Sequence, residues 1–365
     1  MSSVTEPSNT PVTTSLDDDA PDRGRRRFWV SFVVANVLGA IFLWIAARGL
    51  PISELDDYLA RTDPWHLARV FAAFIAVYSL SHAARVVRWY DLVRPIGEVE
   101  KGLVHRVCIV GLGAIVLLPL RLGEFVRPVL LSRRSELPAS SLLATAVVER
   151  VVDGLVVTGV LFASMALTMG TSAPTWALAT GGAAATLFLG VLTACVLAWW
   201  RRDWTLAMVD ATFGRASKKL GDALGGLLSS FLDGFEALAR GRALGRFLGT
   251  TAVYWSINLT SMWGLARFGF GLDISPIQIG AVFGITSIGI MIPGGPGQAG
   301  TFEVFMVESL GLFMNIEDAD IGVRVLAFVA TIHVLQFIVI TAPAFLTMWF
   351  DPRTRGMMSM TSLED

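Results

Sequence analysis

Residues 291–305 read MIPGGPGQAGTFEVF, and the fold turns on whether that stretch lies in water or in a bilayer. It interrupts an apolar segment with Pro293, Gly294, Gly295, Pro296, Gly297 and Gly300. Proline removes a backbone donor and glycine loosens the chain, so no continuous helix survives there. Inside a membrane, such broken backbone is tolerated only where protein or a wet cavity surrounds it. A half-helix starting at Gly300 and Thr301 would aim its positive end into the membrane, where an anion or Glu303 in the first turn is favoured. The alternative is a helix-breaking turn that holds no ligand.

Composition decides for the bilayer. Of 365 residues, 54% are hydrophobic and 16% charged, with a mean hydropathy of +0.61, too apolar for an ordinary soluble domain. The net charge of -1 conceals a basic set in which Lys101, Lys218 and Lys219 are the only lysines, a bias that points to a GC-rich bacterial genome. Cys108 and Cys195 lie far apart in apolar segments, and His66, His82, His105 and His333 lack ligand spacing, so no metal is expected. No GxxxxGK[ST] loop is present to cradle a nucleotide. No cofactor, no nucleic-acid partner and no enzymatic chemistry are expected, since no nucleophile, base and orienter set stands out.

Working outward, residues 1–27 read as a disordered tail, Ser, Thr, Pro and Asp rich and ending in Arg23, Arg25, Arg26 and Arg27. The apolar run 28–47 is long enough to span about 30 Å of hydrocarbon. The positive-inside rule puts the arginines before it, and those after a second span at 67–87, in the cytoplasm. The run 107–120 is short, holds Gly111, Gly113 and Pro119, and precedes Arg121, Arg127, Arg133 and Arg134. A re-entrant hairpin at 105–132 keeps those arginines inside. Helices at 139–169 and 174–199 follow, then amphipathic cytoplasmic helices over 203–245 and a span at 247–266. Residues 276–314 form two short apolar pieces, either full spans or a second hairpin, and a last span runs 322–349. The expectation is an all-α polytopic integral membrane protein with about six full spans and two re-entrant or broken-helix hairpins. The domains are the tail to 27, a membrane domain at 28–350 and a cytoplasmic tail at 351–365. Both termini face the cytoplasm of a bacterial inner membrane.

LLPLRLGEFV at 117–126 and MIPGGPGQAGTFEV at 291–304 share an order: apolar piece, Pro, turn, Gly, then an acid beside Phe. Paired broken segments of opposite orientation are what an inverted-repeat transporter with a midplane site would show. Chance similarity of two Gly/Pro breaks is the competing account.

Ionisable groups at membrane depth cost about 2.5–3.5 kcal/mol each, so they mark functional positions unless they lie at an interface. Arg121, Glu124 and Arg127 are spaced i, i+3, i+6, so that on a helix the two guanidiniums could grip a phosphate while Glu124 orients them. An interfacial ion-pair ladder would give the same spacing. Glu149 and Asp153 share a face one turn apart, with Arg150 beside them; protons or an arginine are candidate partners, and a surface position is the alternative. Arg85, Arg88 and Arg94 end a span, where snorkelling explains them adequately; Arg88 is also a candidate for the head-group site or cavity. His333 and Gln336 either face a cavity or hydrogen-bond between helices.

Together, RVVRWYDLVRPIG at 85–97, LLPLRLGEFVRPVLLSRR at 117–134, ATAVVERVVDGLVV at 144–157 and IPGGPGQAGTFEVF at 292–305 resemble the flippase-like membrane domain of lysylphosphatidylglycerol synthases and its standalone bacterial relatives. The resemblance covers about 28–350. It implies lipid translocation, with Arg121, Glu124, Arg127, Glu149, Arg150, Asp153, Gly294, Gly295, Gly297, Gly300, Thr301 and Glu303 as the shared core. In the full synthases a soluble C-terminal domain aminoacylates the lipid; this sequence ends at Asp365, so an aminoacyl transfer would need another protein. The implied partners are membrane lipids, anionic by the chemistry of arginine, and a lipid-modifying enzyme. A non-transporting anchor of such an enzyme, a glycosyltransferase or an aminoacyltransferase, is the competing function.

Overall fold

The structure, a computed structural model, describes residues 20–48, 50–118, 123–215, 217–239, 242–292 and 294–351. Among them there is no strand. Four helices are long and apolar enough to cross a membrane: α3 (Pro64–Val93), α6 (Ala139–Thr168), α7 (Thr175–Trp200) and α13 (Ala319–Phe350). A fifth span counts if the end of α1 (Ala20–Ala47) and α2 (Leu55–Arg61) form one element bent by 77°. The chain is therefore a multi-pass membrane protein. The expected sixth span falls on α10 (Arg242–Gly264), which is long enough but less apolar, because Thr251, Asn258 and Ser261 turn inward and are buried.

Local chemistry sets the helix starts. Asp63 accepts from the Trp65 amide at 3.0 Å ahead of Pro64 in the first turn of α3, and Ser275 with Gln278 forms a capping box at the start of α11 (Pro276–Gly289). Asp318 caps α13 by accepting from Asp320 and Ile321. The tail expected over 1–27 differs in its last part: α1 begins at Ala20, so the arginine run at 23–27 has helical backbone. Residues 1–19 and 352–365 lie outside the described residues.

Both broken segments are hairpins. The first joins α4 (Lys101–Leu117) to α5 (Gly123–Ser132), the second α11 to α12 (Thr301–Leu310). At 10 residues each, α5 and α12 reach only about 15 Å, half of the hydrocarbon. The two pieces of 276–314 are therefore not a pair of full spans. The first hairpin closes tightly, for a Cβ on Gly123 would stand 2.2 Å from the Ala114 carbonyl carbon.

The two halves share an order of long helix, hairpin, long helix and exchange partners. α3 runs along α10, α4 packs on α13, and α11 packs on α6. Each hairpin thus rests on the last long helix of the other half, a reciprocity that an internal repeat would give. The amphipathic region resolves into α8 (Arg202–Val209), a π turn at Asp210–Gly214, and α9 (Lys218–Ala239). Leu232, Phe235 and Leu238 of α9 are buried, and the helix lies against α6 and α7.

Candidate functional site

Where α3, α5 and α6 meet, charges are buried together. Glu149, fully buried on α6, accepts from Arg88 Nη2 at 2.6 Å and from Arg127 Nη2 at 2.8 Å. Arg88, also fully buried, reaches one turn further and donates to both oxygens of Asp153, at 2.5 and 2.9 Å. Its guanidinium carbon lies 4.9 Å from the Tyr254 ring centre, and that of Arg127 lies 5.3 Å from Trp89, favourable settings for a desolvated cation. Charges removed from water persist only when paired in this way.

Two more arginines extend the cluster. Arg150 lies 3.5 Å from Glu124 Oε1 and 3.3 Å from Asp153 Oδ2. Arg85 lies 3.7 Å from Glu149 Oε1, an oxygen already held by Arg88, and its buried Nε has no hydrogen-bond partner. Among the described residues the cluster holds four guanidiniums and three carboxylates, those of Glu124, Glu149 and Asp153. One positive charge is left over, and Arg85 has the weakest pairing of the four.

The cluster opens onto a cavity of about 440 Å³ between the halves, within the range of about 300–1,000 Å³ typical of small-molecule sites. Arg85, Glu124, Arg150 and Asp153 line one part of it, and α10 contributes Tyr254, Trp255 and Asn258. The second hairpin and α13 close the rest with Gly297, Gln298, His333 and Gln336. Arg88, Arg127 and Glu149 lie behind this wall.

The stretch 294–303 is held from within. Gly297 and Gly300 adopt φ of 69° and 91°, the left-handed region that favours glycine, and the Gly295 amide donates to the Ala299 carbonyl at 3.0 Å. Glu303 accepts from the Gly300 amide at 2.6 Å and contacts His333 Nδ1 through its other oxygen. His333 Nε2 lies 2.9 Å from the Gly297 carbonyl, so one imidazole ties both ends of the loop to α13. Thr301 is fully buried and its hydroxyl donates to the Gln298 carbonyl at 3.0 Å, while Gly294 sits close enough to Thr301 that a Cβ would stand 2.6 Å from its Oγ1. The α12 N-terminus is satisfied by the chain's own carboxylate.

Of the expected ladder of Arg121, Glu124 and Arg127, the Arg127–Glu124 rung is not the pairing found among the described residues. Helix α5 starts at Gly123, Arg121 lies outside the described residues, and Arg127 turns to Glu149 instead of Glu124. Arg127 is thus a buried partner of Glu149 and not a free phosphate grip. Arg88, read as a snorkelling anchor or a cavity candidate, sits at the centre of the cluster, because α6 passes its two acids across the end of α3. Arg85, Tyr254, Trp255, Asn258 and Gln298 were not among the expected site residues. The signal that could have found Arg85 is its place three residues before Arg88, on the same helix face.

An all-helical multi-pass membrane protein with a charged cavity between two hairpin-bearing halves is the class that these observations define. The profile of the family described as Lysylphosphatidylglycerol synthase TM region matches residues 28–344, and the chain belongs to that family. It is also similar to a Haloferax volcanii protein named glycosyltransferase AglD, 26% identical over 306 residues, covering 75% of this chain and 48% of the relative. The chain thus spans about half the length of that relative. No solved structure matches it.

Proposed function

We propose that the protein moves an anionic lipid between leaflets, the phosphate of the head group entering the cavity beside Arg85 and Arg150 while the tails stay in the bilayer. The observation that carries this reading is the surplus guanidinium on a cavity wall within a buried charge cluster. A weakly paired arginine at membrane depth is costly, and an incoming phosphate supplies the partner it lacks. The reading assigns no bond-making chemistry to the chain. It sets both termini in the cytoplasm of a bacterial cell membrane, from the arginines at 23–27, 201–202 and 353–355.

The test is leaflet exchange of acyl-labelled phosphatidylglycerol in proteoliposomes holding the full chain, read by chemical quenching of the outer leaflet. The wild type is expected to expose the inner pool, and an Arg85→Ala, Arg150→Ala double variant to slow this by about tenfold or more, equivalent to about 1.4 kcal/mol. Exchange no faster than in protein-free vesicles, or equal in wild type and variant, overturns the reading.

The similarity to half of a protein named a glycosyltransferase favours a second reading, in which the domain anchors or serves a lipid-modifying enzyme without moving lipid itself. Stable co-purification with such an enzyme, together with no exchange by the chain alone, would select it.

A further inference from the structure

We infer that the head group carried by this cavity bears a neutral, hydroxyl-rich ring such as a sugar on its phosphate, a proposal that rests on the transport reading above. Beyond the charged groups and the aliphatic side chains that line it, the cavity wall carries aromatic faces and three neutral amides, Asn258, Gln298 and Gln336. Trp255 is packed between Tyr254 and Phe283, with ring centres at 4.5 and 5.3 Å, and its Nε1 donates to Asp153 Oδ1 at 3.2 Å. The indole is therefore fixed in orientation with part of its surface on the cavity. Facing the same space, Asn258 gives its Nδ2 to the Tyr254 carbonyl at 2.8 Å, and its Oδ1 meets no partner among the described residues. Ser287, Gln298 and Gln336 also line the cavity, and their side chains make no hydrogen bond among the described residues.

Amides, a hydroxyl and an aromatic face lining one cavity, with donors and acceptors unused among the described residues, suit a ligand that offers both hydroxyls and C–H faces. A sugar ring offers both. A cationic ammonium head fits less well, because the cavity carboxylates are already engaged. Asp153 accepts from Arg88 and Trp255 and is ion-paired with Arg150 at 3.3 Å, and Glu124 is paired with Arg150. A bare phosphate would use the arginines and leave the amides unmet.

Three lipids with identical dioleoyl tails, one of them acyl-labelled, isolate the head group: phosphatidylglucose, phosphatidic acid and phosphatidylethanolamine. In proteoliposomes of the full wild-type chain, phosphatidylglucose is expected to exchange at least about tenfold faster than either of the others, since a site built to bond hydroxyls discriminates against heads that lack them. An Asn258→Leu, Gln336→Leu double variant is expected to bring the ratio of phosphatidylglucose to phosphatidic acid within about twofold of one. Equal rates for all three lipids in the wild type, or faster exchange of phosphatidylethanolamine, overturn the sugar assignment and leave transport standing. A ratio that the double variant does not change also overturns it. No exchange of any lipid overturns transport and the assignment together. The wild-type comparison needs no variant to fold.

Discussion

Arg88 Nη2 lies 2.6 Å from Glu149 Oε1, and both side chains are fully buried. Neither charge has water to fall back on, so each is the condition for the other. Glu149 also takes Arg127, and Arg88 also takes Asp153. Four side chains from α3, α5 and α6 thus form one unit, which sets the first hairpin against the long helices and carries Asp153 and Arg150 to the cavity wall.

Glu149→Ala strands Arg127 and leaves Arg88 with Asp153 as its one carboxylate partner among the described residues. Breaking a buried pair by removing one partner costs about 3–5 kcal/mol, so Glu149→Ala and Glu149→Leu should lower the thermal unfolding midpoint in detergent more than any single cavity-wall substitution. An unchanged midpoint would sink the claim that this carboxylate anchors the cluster.

Arg85 stands apart from that unit. Among the described residues its one ion-pair contact is a carboxylate oxygen 3.7 Å away and shared, so Arg85→Ala should leave the stability within about 1 kcal/mol of wild type while slowing lipid exchange by about tenfold or more. Arg85→Lys should restore little, because an ammonium lacks the planar fork that meets two phosphate oxygens. Parallel losses of stability and exchange would make Arg85 another structural member.

Gly300 tests the fit of the second hairpin. A Cβ there would stand 2.3 Å from the Gly39 carbonyl oxygen and 2.7 Å from Phe42 Cβ, at a φ of 91°. Gly300→Ala should cost more than about 1 kcal/mol, the loss expected where alanine cannot take up the native backbone. The effect should appear as weaker protection of α1 and the loop in hydrogen exchange. Wild-type protection would show that the loop can shift away from α1.

His333 and Glu303 make a different forecast. Glu303→Ala removes both the acceptor for the Gly300 amide and the contact to His333, so amides 294–300 should exchange at least about fivefold faster, matching loss of one hydrogen bond worth about 1 kcal/mol. Glu303→Gln keeps an oxygen for Gly300 and a donor for Nδ1, and should retain most of the protection. Identical behaviour of the two variants would remove the carboxylate from the loop's support.

The sequence by itself determined the membrane class and the two broken segments. Those depend on local composition, run length and backbone chemistry, whereas the choice between full spans and a hairpin at 276–314 waited for the lengths of α11 and α12, 14 and 10 residues, too short to cross a bilayer. It also singled out Glu124, Glu149, Arg150, Asp153, Glu303 and His333, because charges inside apolar helices are visible in one dimension. Only the tertiary structure decided which charges meet. The Arg88–Glu149 pair spans 61 residues and the Glu303–His333 pair 30, and no periodicity reports a contact at that separation. Arg127 faces inward while Arg85 faces the cavity for the same reason: α5 starts at Gly123, and α6 crosses both α3 and α5. Trp255 and Asn258 on the neutral part of the wall were illegible beforehand, since aromatic and amide residues are ordinary in a helix until the packing of α10 against α3 turns them toward a shared space.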